Sequence, residues 1–312
     1  MRTAIIEEIY NTMKENKNTY FLTGDLGYNA LEKIEQSFSK RFINVGVAEQ
    51  NMIGIATGLA LSGKKVFVYS IIPFLLMRCY EQIRNDICFH DVDVTLLGIG
   101  SGLSYGILSS THFALEDMAI LRPLPNMSIF SPADETEAVL GIRYLRNFHQ
   151  PVYIRIAGRK EPIVNSKPYH FKFGKGVVLQ EGKDITIFST GVIMDEVLKA
   201  AKLLKQIKNI KPTVVNIHTV KPLDEELIIN RSKKSKVVFV IEEHGIIGGL
   251  GSAICELLSS QKLNVKILRI GVEDKHIKIV GTREYLRKIL SLDADGIYRK
   301  ILKENEKYSY SE

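Results

Sequence analysis

RFINVGVAEQNMIGIATGLAL, residues 41–61, reads as a short buried strand, a glycine turn and a helix. Phe42, Ile43 and Val45 suit a strand, Gly46 supplies the break, and the helix begins near Ala48. Gly54 and Gly58 share one face of that helix. Glycine inside a helix costs about 1 kcal/mol relative to alanine, so a face that carries two of them needs its backbone close to something, most simply another helix. Glu49 stands in the first turn with apolar runs on both sides. Spacing alone leaves two readings open: a helix-dipole partner in solvent, or a buried acid of the kind that collects at functional sites.

Outward from this stretch the chain alternates strand and helix. Ile5, Ile6, Ile9 and Met13 give residues 2–17 one apolar helical face. Tyr20–Thr23 is a strand that ends at Gly24-Asp25-Leu26-Gly27. Ligands of open α/β sheets bind at the carboxyl ends of strands, which puts Asp25 where a site would be. Lys65–Ser70 and Val92–Ile99 are further strands, and a glycine-rich loop over residues 100–106 follows the second. That loop fits neither G-x-x-x-x-G-K-[ST] nor G-x-G-x-x-G. Pro151–Arg159 is a strand closing a first domain, and residues 161–175 form a linker with Pro162, Pro168 and Gly174. Strands at 184–191, 213–224 and 237–244, with helices at 194–204 and up to Ser259, imply a second, mainly parallel α/β domain over 176–312. The polar end from Lys300 is expected to fray.

Length and composition exclude several classes. A chain of 312 residues suggests about two domains. With 45% hydrophobic and 25% charged residues it is an ordinary globular sequence. No run approaches the ~18 apolar residues of a membrane span, and the N-terminus lacks a signal-peptide layout. Cys79, Cys88 and Cys255 show no C-x-x-C spacing, which argues against a disulfide framework or zinc site and for a cytoplasmic home. The net charge of +7 lies wholly in residues 161–312, which hold 26 Lys/Arg against 19 Asp/Glu. These lysines are spread along helical stretches, as a solvated surface has them and a nucleic-acid face does not.

Gly46-Val47-Ala48-Glu49-Gln50-Asn51 resembles the G-x-A-E-Q segment of the pyrimidine-binding domain shared by transketolases, 1-deoxyxylulose-5-phosphate synthases and 2-oxo-acid dehydrogenase β-subunits. These are thiamine diphosphate enzymes, and the resemblance implies that Glu49 hydrogen-bonds N1′ of the cofactor's aminopyrimidine. Asp25 matches the acid after the first strand, near the thiamine ring. Residues 71–86, with Arg78-Cys79-Tyr80-Glu81-Gln82, resemble the segment that walls the pyrimidine pocket. Phe74 and Tyr80 are the candidate aromatic walls, with Arg78 beside them. From Thr111 to Asp134 the pattern T-H-x-x-x-E-D…R…P-N-M…P-A-D resembles transketolases and deoxyxylulose phosphate synthases. It implies that His112 reaches the substrate's reacting end as hydrogen-bond donor or proton carrier. One of Arg155 and Arg159 matches the arginine that holds a substrate phosphate, a task suited to a bidentate fork.

The resemblance therefore implies a two-domain α/β subunit of a transferase: a pyrimidine-binding domain (1–160) with a parallel sheet, and a doubly wound transketolase-type C-terminal domain (176–312) whose His218 and His244 are structural. The family's G-D-G…N motif for magnesium and diphosphate is missing from the sequence. Thiamine diphosphate and Mg²⁺ are accordingly expected at an interface with a separate N-terminal subunit, in an α₂β₂ assembly acting on small sugars, with no nucleic acid or membrane partner. Leu108 stands where transketolases carry an acid, and Gly100 where they carry a phosphate-contacting histidine, which points to a nonstandard ketose donor, such as one used in polysaccharide synthesis. The rival readings are a 2-oxo-acid dehydrogenase β-subunit, a deoxyxylulose-phosphate-synthase-like enzyme, and a non-catalytic protein that kept the scaffold.

Overall fold

A computed structural model of the chain describes residues 1–158, 161–164 and 169–309. Two sheets organise it. The strands are β1 (Thr19–Thr23), β2 (Phe42–Asn44), β3 (Lys65–Ile71), β4 (Val94–Ile99), β5 (Ser128–Phe130), β6 (Val152–Ile156), β7 (Val177–Gln180), β8 (Asp184–Ser189), β9 (Thr213–Asn216), β10 (Thr219–Lys221), β11 (Ser235–Gly245) and β12 (Lys266–Val272). The first sheet runs β10-β5-β6-β4-β3-β1-β2 and the second β12-β11-β8-β9-β7. All neighbours are parallel except β10 on β5 and β7 on β9. Central strands such as β4, VTLLGI, are buried along their whole length, as a sheet covered on both faces requires.

Strand order fixes the site. From β1 the chain steps outward to β2 on one side, then returns to β3 and continues to β4 on the other. The register pairs Thr23 with both Asn44 and Tyr69, so the carboxyl ends of the three strands lie flush. At such a switch point the loops part and leave a crevice. The helix Glu49–Leu61 follows β2 into it after residues 45–48.

The two sheets are knitted together. β10 comes from the second half of the sequence yet extends the edge of the first sheet, so the chain does not divide cleanly near residue 176. Residues of the expected linker are docked as well: the Val164 N–H donates to Asp134 Oδ2 at 3.0 Å, and Phe171 and Phe173 pack on the first domain's core. The end of the chain differs from expectation, since an α-helix runs from Ala294 to Ser309. Its Ile297 and Ile301 are buried in the second core beside Val197 and Leu204 of the helix Met194–Lys208, which outweighs its polar composition. No helix among the described residues is long and apolar enough to cross a membrane.

Glu137 sits where the two halves meet. Its buried carboxyl accepts from the Ala133 N–H at 2.7 Å, from Asn216 Nδ2 at 2.9 and 3.1 Å, and from the Tyr169 hydroxyl at 2.8 Å. Burial raises it from 4.5 to about 7. An acid that holds its proton more tightly when folded lends its full stability below pH 4.5 and loses it as the pH rises towards 7. His218, lowered from 6.5 to about 4 by burial, acts in the opposite sense between those values, so the two are separated by a difference. The unfolding free energy of Glu137→Gln minus that of the wild type should rise by on the order of 3 kcal/mol between pH 4.5 and 7.5. Urea unfolding at the two pH values checks this, and a pH-independent difference contradicts it.

Candidate active site

Two glycines, Gly24 and Gly46, stand at the floor of the crevice. Gly46 takes φ +71°, and a Cβ on Gly24 would lie 3.2 Å from the Gly46 carbonyl and 3.8 Å from Glu49 Cγ. One side chain that the sequence did not single out holds this floor in shape. Asn44 Oδ1 accepts from the backbone N–H of Asp25 at 2.9 Å and of Gly46 at 3.0 Å, tying the ends of β1 and β2 together. An asparagine two residues before a turn glycine was the available signal.

Glu49 begins the helix and is only 4% exposed. Its two carboxylate oxygens accept from Arg78 Nη1 at 3.2 and 3.1 Å. The Arg78 guanidinium in turn lies 4.1 Å from the centre of the Phe74 ring, a cation–π contact. Its backbone carbonyl accepts from Gln50 Nε2 at 2.9 Å. The Phe74 ring meets His112 edge-on with centroids 5.1 Å apart, and the Tyr105 ring lies edge-on to the imidazole at 6.1 Å. Thr111 Oγ1 lies 2.9 Å from His112 Nδ1. Partial burial, and then the charge on Arg78, pull the His112 pKa below its ordinary value, which keeps the ring neutral and able to take a proton at pH 7. Four of the residues singled out from sequence, Glu49, Phe74, Arg78 and His112, thus meet in one place.

The others are placed differently. Asp25 lies at the rim, exposed and at φ +56°, where it accepts from the Tyr28 hydroxyl at 3.3 Å. Tyr80 is half-buried and packs against the first domain's core. Arg155 is 2% exposed and committed to the interior: Nε donates to Asp117 Oδ2 at 2.7 Å, and Nη2 donates to the carbonyls of Ala114 at 2.7 Å and Glu243 at 3.0 Å. Its expected role in holding a substrate phosphate is corrected accordingly, since a guanidinium bound this way fastens the two domains. Arg159 lies outside the described residues.

The two departures from the family pattern have physical consequences. Gly100 takes φ +95°, and a Cβ there would come within 2.3 Å of the Tyr105 ring, so this backbone admits no histidine. Leu108 is 45% and Ile107 64% exposed, giving the loop before His112 an apolar lip where an acid was the family pattern. Among the described residues no group of three or more His, Cys, Asp or Glu could hold a metal ion.

The sequence matches the family descriptions "Transketolase, pyrimidine binding domain" over residues 1–160 and "Transketolase, C-terminal domain" over residues 174–297. The chain belongs to the transketolase family. A protein of Methanocaldococcus jannaschii named as a transketolase C-terminal section is 38% identical over 311 residues, covering 98% of this chain and 96% of that one. One of the subunits of an apulose-4-phosphate transketolase of Actinobacillus succinogenes is 37% identical over 262 residues, 84% of each chain. A solved structure described as "Split gene transketolase, inactive beta4 tetramer" superposes with a TM-score of 0.86 at 33% identity, covering 97% of this chain and 96% of that one. Members of this family are transferases of the thiamine diphosphate type. The residues present fit the pyrimidine half of that cofactor: an acid for a ring nitrogen, an aromatic face beside it, and a glycine floor that leaves room.

Arg78 is the test of this geometry. Replacing it by methionine removes the charge that lowers His112 and leaves Glu49 buried with a lost partner. The Arg78→Met chain should show a His112 imidazole titrating closer to the ordinary histidine value, and a stability loss of about 1–2 kcal/mol, modest because the arginine is half exposed. Imidazole NMR and urea unfolding measure the two; an unmoved His112 titration contradicts the arrangement.

Proposed function

We propose that this chain is the C-terminal subunit of a two-chain transketolase that moves a two-carbon ketol unit from a ketose to an aldehyde, completed by an N-terminal subunit. The observation that carries this reading is Glu49, buried at the strand ends beside Phe74, Arg78 and His112. Thiamine diphosphate, when bound, supplies the carbon that takes up the two-carbon unit and hands it on. Glu49 would hold a proton at N1′ of its aminopyrimidine, Phe74 would supply an aromatic wall, and Arg78 would release the carboxylate. His112, neutral at pH 7, takes or returns a proton at the substrate oxygen. Asp25, at the rim, would face the bound cofactor.

The other half of the site is assigned to the partner: Mg²⁺ and the diphosphate sit on the N-terminal subunit. A Cβ on Gly54 or Gly58 meets nothing within 4 Å among the described residues. That open face, on the same helix as Glu49, is where the partner's backbone approaches in an α₂β₂ assembly. Arg159 takes the substrate phosphate, because Arg155 is spent inside. The apolar lip of Ile107 and Leu108, with Tyr105 filling the space at Gly100, supports a donor other than the common ketose phosphates. The relatedness to an apulose-4-phosphate transketolase supports a sugar phosphate as substrate.

The two purified subunits, mixed with thiamine diphosphate and Mg²⁺ and offered a panel of ketose phosphates and aldehydes, should show two-carbon transfer that neither subunit shows alone. Glu49→Ala should lower it by about 100-fold or more. Turnover by this chain alone, or undiminished turnover with Glu49→Ala, contradicts the reading. Release of carbon dioxide from pyruvate would replace it by the synthase-like activity.

A further inference from the structure

The loop that carries His112 belongs physically to the second domain. Leu103, Phe113 and Leu115 are buried in the second domain's hydrophobic core, while Ala114, between the last two, faces the first. The anchors are polar as well. The Leu103 N–H donates to Glu243 Oε1 at 2.8 Å, and the Gly245 N–H donates to the Leu115 carbonyl at 2.8 Å. The Gly281 N–H donates to the Gly106 carbonyl at 3.3 Å. The fit leaves no slack at two glycines. A Cβ on Gly102 would lie 2.3 Å from Glu243 Oε1, and one on Gly106 would lie 2.4 Å from the Gly281 carbonyl.

Glu243 is the centre of these contacts. It lies near the end of β11 and is buried. Arg283 Nε donates to its two oxygens at 3.2 and 3.3 Å, Arg287 binds Oε2, and Arg283 Nη1 also donates to Glu161 Oε1 at 2.7 Å. The two guanidiniums and the Leu103 N–H hold its carboxyl down to about 2. A carboxylate fixed by two buried cations has one orientation, and its remaining reach is spent on the backbone of the His112 loop.

We infer that Glu243, oriented by Arg283 and Arg287, is a positioning residue that holds the His112 loop against the crevice. The C-terminal domain then acts as the splint that fixes His112 relative to Glu49. The reading builds on His112 acting at the substrate, and its test separates the two ideas. It also accounts for a division of labour: Glu49, Phe74 and Arg78 hang on β2 and β3, so loosening this anchor should spare the cofactor end.

Glu243→Gln keeps the volume and an acceptor but removes the charge. Gly106→Ala disturbs the same loop without touching the buried ions, and serves if the first variant does not fold. Two readouts are taken. Imidazole NMR follows His112 in this chain alone; turnover and thiamine diphosphate affinity are measured in the two-subunit complex. The expected result is a His112 titration shifted towards the ordinary histidine value, turnover lower by about tenfold or more, and cofactor affinity within about twofold. A His112 titration identical to wild type in a folded variant overturns the inference. A shifted titration with full turnover upholds the positioning and overturns the catalytic reading of His112.

Discussion

A carboxylate taken out of water must find a positive charge or a proton, and this constraint shapes the crevice around Glu49. Residues 45–48 separate the helix that carries it from the end of β2, and the acid is buried there. Arg78 answers it from the segment after β3, braced on the Phe74 ring. Because Arg78 is half exposed and Glu49 is not, the arginine is the partner that can leave. The same guanidinium disfavours a charge on His112. One half-exposed cation therefore couples the acid to the histidine, and it does so across the ends of strands that come together only through the crossover order of the sheet.

The second domain makes that geometry dependable. Arg155 and Asp117 form a fully buried pair, with the Tyr153 hydroxyl donating to the same carboxylate at 2.7 Å. From there Arg155 reaches the Glu243 carbonyl at 3.0 Å. A buried pair of this kind is a weak source of net stability, since desolvation offsets most of the attraction. Its value lies in direction: both partners have one satisfied arrangement, which fixes how the two sheets meet. The Glu243 cluster repeats the device beside the His112 loop.

Much of this was legible in the sequence, and the exceptions share a cause. Spacing left Glu49 with two readings, and the resemblance of residues 46–51 to the family segment singled it out. His112 was found through the resemblance of residues 111–134, since a single histidine after a loop says little by itself. What could not be read was partnership over distance. Arg155 looks like any strand arginine until Asp117, 38 residues away, is brought against it. β5, β7 and β10 are three or four residues long and carry little periodicity; β10 also crosses to the other sheet, a choice set by edge pairing and not by its own residues. The helix Ala294–Ser309 hid behind its charges because the core that accepts Ile297 and Ile301 comes from elsewhere in the chain.

The central claim is that Glu49 works on the cofactor's aminopyrimidine. Exchange of the thiamine diphosphate C2 proton for deuterium, in the complex of this chain with its N-terminal partner, tests that step without any sugar present. The account predicts fast exchange in the wild-type complex, slower by about 100-fold or more with Glu49→Gln while the cofactor stays bound. Equal exchange rates in the two complexes would contradict it.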